Sequence, residues 1–308
     1  MQMLREAAVL SRLHHRCIVR FWGVVPVEES RPQPAVARGG FFNFAHDSAG
    51  SHGGRGWAGP SSSSNTTSSS SSSSKRLSLG LVMEKCDMSL QDVLDGEALK
   101  GRLLPLPSAL YIAERIACGL KYLHTDAPLK VVHGDLKPAN VLLKNATHEV
   151  LLTDFGLSTT IAVHTMSTAA RGLVGAGGPS GGTLAWAAPE QLQAWATNKP
   201  APRTFASDMY AFGLILYQLL VGKASYEGMG FDSEEQLKGA VRGGERPKWD
   251  GWEVARGKEA GTGVLGRLKG VVEACWAHSA TERPTAQHVH AQLSELLCGV
   301  EAAAAVTA

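Results

Sequence analysis

Residues 131–156 read VVHGDLKPANVLLKNATHEVLLTDFG. Two short apolar runs, residues 141–143 and 150–152, have the length and composition of buried strands. A polar loop, residues 133–140, precedes the first run, and Asp154-Phe155-Gly156 follows the second. Asp135, Asn140 and Asp154, all able to handle a metal ion or a proton, therefore fall at strand ends. A loop held by buried strands fixes such groups in space and leaves them open to a substrate.

The spacing matches the needs of phosphoryl transfer from a nucleotide. Asp135 is placed to accept a hydroxyl proton. Asn140, five positions on, offers a side-chain oxygen, and Asp154 a carboxylate; hard oxygen ligands suit Mg2+. Lys137 lies between them with a flexible ammonium for the γ-phosphate, and Gly156 is expected to make the sharp turn after Asp154.

Working outward, residues 2–14 carry Met3, Ala7, Leu10 and Leu13 at helical spacing, with Glu6 among them. Residues 17–25 are β-branched and aromatic and predict a strand. Residues 30–76 differ in kind: Gly, Ser and Pro dominate, and eleven of the fourteen residues 61–74 are Ser. Such a stretch buries too little apolar surface to offset its ordering entropy, which predicts an unstructured, passive insertion. A strand is expected over 77–83, a helix over 89–99, and a longer one opened by Pro107 with Ile112, Ile116, Leu120 and Leu123 on one face. Residues 157–182 form a Gly-, Ser- and Thr-rich loop. After it come a helix apolar on more than one face over 209–221, and helices near 234–241, 264–276 and 285–297.

The bulk properties narrow the classes. The chain of 308 residues is 44% hydrophobic with a net charge of +2. The size allows one large or two modest domains, and the balance gives no sign of a nucleic-acid partner. The five cysteines form no CxxC pair, which argues against a disulfide framework or structural zinc and suits a reducing, cytoplasmic setting. No run approaches the ~18 apolar residues of a membrane span.

HGDLKPANVLL, then DFG, then APE, in that order, resembles the signature of the eukaryotic protein kinases. GTLAWAAPE and CWAHSATERPT are similar to the tyrosine-kinase-like Ser/Thr group. The resemblance implies an α+β, protein-kinase-like fold and transfer of the ATP γ-phosphate to protein hydroxyls in signalling. Lys137 within DLKPAN, together with Thr183, favours Ser/Thr acceptors. It also implies structural roles: Asp208 braces the catalytic loop, Glu190 pairs with Arg283, and Glu6 is the glutamate of the small-lobe helix. Leu10, Phe21, His133 and Phe155 form an interlobe stack. Met83 backs the adenine pocket, Glu84 and Cys86 offer backbone groups to adenine, and Leu142 packs beneath the ring.

Two departures stand out. Gly134 occupies the place of an Arg that usually grips an activation-segment phosphate, so activity is expected not to depend on that contact. Thr159, Thr160, Thr165, Ser167 and Thr168 remain candidate phosphosites. No GxGxxG loop and no lysine strand precede Glu6, so the expectation is a partial small lobe in 1–86, with the insertion at 30–76. A large lobe in 87–298 and an Ala-rich tail in 299–308 complete the division. Two accounts stay open: a fragment of a working kinase, or a pseudokinase-like scaffold or nucleotide-binding module without transfer.

Overall fold

The computed structural model describes residues 2–28, 77–144, 148–161, 181–257 and 262–307. The Ser-rich stretch 30–76 and the candidate phosphosites Thr165, Ser167 and Thr168 lie outside them. Two compact units form, one of Met1–Val24 with Leu81–Ala308 and one of Val25–Gly80.

Helix α1 spans Gln2–Leu10 and strand β1 Phe21–Glu28. Both are shorter at one end than the sequence predicts. Ser11 and Arg12 form a turn, so α1 stops before residue 14. Residues 17–20 do not extend β1 because their backbone is engaged elsewhere. Ile18 bridges Leu152 in parallel, Val19 N–H donates to Leu152 O at 2.9 Å, and Leu152 N–H to Cys17 O at 2.9 Å. Strand β2, Leu77–Met83, pairs with β1 and has the predicted bounds.

The remaining elements are mostly helical. Strand β3 is Met88–Ser89, and α2 is Leu90–Leu99, capped by Ser89. Helix α3, Leu106–Lys121, starts before Pro107, which sits in its first turn where a missing N–H costs nothing. A π-helical turn, Tyr122–Asp126, continues it. Strands β4 (Lys130–Val132), β5 (Val141–Lys144), β6 (Glu149–Leu152) and β7 (Thr159–Ile161) follow. Helices α4 (Pro189–Ala196), α5 (Phe205–Val221), α6 (Glu234–Arg242), α7 (Trp252–Arg256), α8 (Thr262–Cys275) and α9 (Ala286–Thr307) complete the chain. Helix α9 runs past the expected end at 297 because the alanine-rich tail is itself a strong helix former.

The core is organised on α5, whose residues from Ser207 to Leu220 are all buried. It packs on α3 and α8, and α3 in turn packs on α9. An apolar sequence on every face suits a helix surrounded by others. Its C-terminus is closed by a buried guanidinium. Arg256 donates to Leu219 O and Leu220 O at 2.9 Å each, and to Leu104 O at 2.6 Å. The terminal carbonyls that no intrahelical N–H reaches are thereby satisfied.

Candidate active site

Strand pairing fixes the site. Strands β5 and β6 pair antiparallel with Val141 opposite Leu152. Asn140 and Thr153 are thus the next pair along, and Thr153 N–H donates to Asn140 O at 3.1 Å. Asn140, at the end of the loop, and Asp154, one residue beyond Thr153, meet at the same end of the ladder. The other end of the loop is set by β4, which pairs with β7 through Val132 and Thr159.

From α5, the buried Asp208 holds the loop backbone. It accepts from His133 N–H at 2.8 Å and Gly134 N–H at 2.9 Å, and contacts His124 Nε2 at 2.9 Å. The His133 ring lies 5.1 Å from that of Phe155, and its Nε2 contacts Thr153 O at 3.0 Å. Because a carbonyl can only accept, Nε2 carries the proton, and because Nδ1 accepts from Asp135 N–H at 3.4 Å the ring is neutral. Burial drives the His133 pKa down, in the same direction.

Asp135 is 7% exposed. Its Oδ2 accepts from Lys137 Nζ at 2.8 Å and Asn140 Nδ2 at 3.0 Å. Its Oδ1 is buried with no hydrogen-bond partner among the described residues. The Asn140 amide nitrogen also donates to Asp135 O at 2.8 Å, so its side-chain oxygen is the atom left to face a ligand. Asp154 stands in the left-handed region at φ 61°. The sharp turn expected of Gly156 is therefore made by the carboxylate-bearing residue itself, and Gly156 N–H donates back to Asp154 Oδ1 at 3.3 Å.

Glu6 reaches this site from α1. Its pKa is raised, first by burial and then by Asp154, with the Phe155 backbone N–H acting the other way. Crowded negative charge at Asp154, together with the outward oxygen of Asn140, fits a divalent cation bound by hard oxygens. Among the described residues no group of three or more His, Cys, Asp or Glu side chains is placed to hold a metal ion.

Gly134 has φ +78°, and a Cβ there would lie 2.9 Å from both Arg203 Cδ and Leu157 O. The space of the missing side chain is thus taken by Arg203, whose guanidinium pKa is lowered by burial and raised by Asp135. A half-buried cation beside the loop is a feature the sequence reading missed. Gly134 marks the vacancy, but nothing in the chain near residue 203 signals that it fills it.

The other implied residues fall as follows. Glu190 and Arg283 form a two-pronged pair at 2.8 Å per bond, and Arg283 also donates to Ala206 O at 2.9 Å. Leu10 and Phe155 share the buried core, with Phe21 packed against it. Met83 is half-buried against the same core. Glu84 N–H donates to Arg20 O at 2.9 Å. Its carboxylate receives Arg20 N–H and Lys144 Nζ, each at 2.6 Å. Cys86 is half-exposed, and Leu142 lies in β5 opposite Leu151.

Known proteins are similar to parts of this chain. The chain is 36% identical to human mitogen-activated protein kinase kinase kinase 11 over 139 residues, 43% of this chain and 14% of that protein. It is 31% identical to human receptor-interacting serine/threonine-protein kinase 3 over 201 residues, 64% of this chain and 35% of that protein. It is 29% identical to a probable serine/threonine-protein kinase of Dictyostelium discoideum, roco6, over 192 residues, 61% of this chain and 8% of that protein. The chain thus spans well under half the length of these curated relatives. The family described as the protein kinase domain matches residues 62–293. That match takes in the Asp135 loop, Asp154, Asp208 and the Glu190–Arg283 pair, and the chain belongs to the protein kinase domain family.

Proposed function

We propose that this chain is a Ser/Thr protein kinase of the tyrosine-kinase-like group, transferring the γ-phosphate of ATP to protein hydroxyls in signalling. One observation carries the reading most. The buried Asp135 has one oxygen held by Lys137 and Asn140 and the other without a partner. A base needs this asymmetry: one oxygen fixes the carboxylate and the other receives the acceptor hydroxyl and its proton. Lys137 supplies positive charge beside that oxygen for the γ-phosphate. Asn140 and Asp154 are the residues to hold Mg2+, which when bound neutralises the phosphates. Met83, the Glu84 carbonyl, Cys86 and Leu142 border the adenine site.

In the same reading, residues 1–86 contribute to the small lobe and 87–298 form the large lobe. The relatives named as serine/threonine-protein kinases support the acceptor class. The five cysteines are all free in the structure, which supports a reducing, intracellular setting. Among the described residues no helix is long and apolar enough to cross a membrane.

The test is transfer of labelled phosphate from Mg-ATP to a generic basic protein, with Asp135→Asn and Asp154→Asn as controls. Transfer well above both controls is the expected result. Transfer no greater than theirs would remove the assignment.

A further inference from the structure

A second chemically distinctive cluster lies between the segment that follows α1 and the face of α3. Cys17 and Cys118 come from distant parts of the chain and meet there. A Cβ on Gly119, the residue after Cys118, would lie 3.3 Å from Cys17 Cβ and 3.2 Å from Cys17 O, so the loop backbone presses directly on this turn of α3. The two thiols are close enough to shift one another's proton affinity. Two nitrogens also approach the Cys118 sulfur, His15 Nε2 at 4.0 Å and Arg16 Nη2 at 3.9 Å. His15 is itself held in place, stacked on Tyr122 with ring centroids 4.5 Å apart. Cys118 keeps 7% of its surface, while Arg16 beside it is exposed, so the sulfur lies just below the protein surface.

A sulfur with a histidine, an arginine and a second thiol around it is set up for reaction as well as for packing. The thiol of Cys118 is drawn well below the ordinary range, first by the Cys17 thiol and then by His15 and Arg16, against the opposing effect of burial. Cys17 moves the other way, first because it keeps its proton beside Cys118 and then through burial. Arg115 and Glu114 on α3 are the other charged groups nearby. The remaining cysteines lack this surround. Cys275 is buried and its thiol is pushed up by burial, and Cys86 is pushed up by burial and by Glu84.

We propose that Cys17 and Cys118 form an oxidation-sensitive thiol pair, closed to a disulfide by hydrogen peroxide, that ties the segment after α1 to α3. The Cys118 thiolate attacks the peroxide oxygen, the O–O bond breaks, and hydroxide leaves to take up a proton as water. The resulting sulfenic sulfur is attacked by Cys17, an S–S bond forms, and a second water departs. Two thiols are oxidised and one peroxide is reduced to two waters. Because Leu152 is bonded to Cys17 and Val19, the link would fix against α3 the same loop that leads from the Glu6 helix to β1.

The experiment treats the full chain with limiting hydrogen peroxide, blocks remaining thiols by alkylation, and maps cysteine peptides without reductant. The expected product is a Cys17–Cys118 disulfide formed before Cys86, Cys275 or Cys298 is modified, reversed by dithiothreitol, with Tm raised by about 5 °C for so long a closed loop. Cys17→Ser is expected to leave a sulfenate on Cys118 that dimedone traps. Arg16→Ala with His15→Gln should slow the reaction by about tenfold, since thiolate stabilisation is lost. The peptide map of the unmutated chain decides by itself. If Cys86 or Cys298 is oxidised while Cys17 and Cys118 still alkylate, the proposal is wrong. The readout is covalent and does not depend on phosphoryl transfer.

Discussion

Asp135 concentrates the chemistry of the site in two oxygen atoms with different surroundings. Its replacement by Asn keeps the shape and both neighbours but removes the base, so kcat is expected to fall by about 10²–10⁴-fold with little change in Tm. Gly134, next to it, is a backbone requirement. Gly134→Ala forces a side chain into φ +78° and against Arg203 and Leu157, and should cost about 1–2 kcal/mol in urea unfolding. Glu6 gives a pH signature. Its folded pKa lies above the ordinary 4.5, so its contribution to stability is full below that value and is lost as pH rises through the folded pKa. Glu6→Gln is therefore expected to raise Tm at pH 7 and to make no difference below pH ~4. A Glu6→Gln variant less stable than the parent at pH 7 would contradict this. Asp135, Asn140 and Asp154 were legible because their spacing is local. Arg203 was not, because the contact that gives it meaning joins two distant stretches. Gly156 misled because glycine's freedom is a permission, and here the left-handed residue is Asp154.

At the scale of the element, helix ends decide what pattern alone leaves open. Helix α5 was expected from 209 but begins at Phe205, because Thr204 and Ser207 cap it reciprocally: Ser207 N–H donates to Thr204 Oγ1 at 3.1 Å and Thr204 N–H to Ser207 Oγ at 3.0 Å. The box uses Ser where Glu or Gln is usual, which weakens its signal in sequence. Strands β3, β4 and β7 are too short to show any period, and pairing makes them visible. Thr159 and Thr160, expected as loop residues, have their backbones in the β4–β7 ladder. The other end of α5 rests on Arg256. Arg256→Met keeps the bulk but leaves the carbonyls of Leu104, Leu219 and Leu220 without this donor, at an expected cost of about 2–3 kcal/mol. Thermal unfolding of the variant checks this, and an unchanged Tm would show that water replaces the guanidinium there.

For the molecule as a whole, the polar ties matter as much as the core, because they set where the loop stands. Asp208 links α5 to the catalytic loop, and Glu190–Arg283 links α4 to the turn before α9. Breaking the latter with Arg283→Ala strands Glu190 and removes donors from three carbonyls, with an expected loss of about 3 kcal/mol. Ligand linkage tests the site without an acceptor protein. Mg-ATP at about 100 times its Kd should add about 2.7 kcal/mol of stability, and EDTA should remove most of it. Asp154→Asn should abolish the Mg-dependent part. The kinase-like architecture could be seen in the sequence because its motifs sit at fixed points on buried elements. Among the described residues, the polar ties with family precedent, Asp208 and Glu190–Arg283, were legible through resemblance alone. Arg256 and the neighbouring Cys17 and Cys118 have none, and only the packing of distant stretches gives them meaning.

The π turn after α3 carries a consequence of another sort. His124 meets Asp208 because Tyr122–Asp126 contains one more residue per turn than the α-helix before it. Deleting Leu123 would give the backbone an easier, regular winding, yet it would rotate His124 by about 100° away from Asp208. The damage would then surface at His133 and Gly134, far along the chain from the missing residue. Thr125 and Asp126, both exposed, should accept replacement freely. The exposed end of this turn is therefore indifferent to spelling, while the turn as a whole is intolerant of miscounting, so a single-codon deletion here should silence the catalytic loop although every catalytic residue is still present.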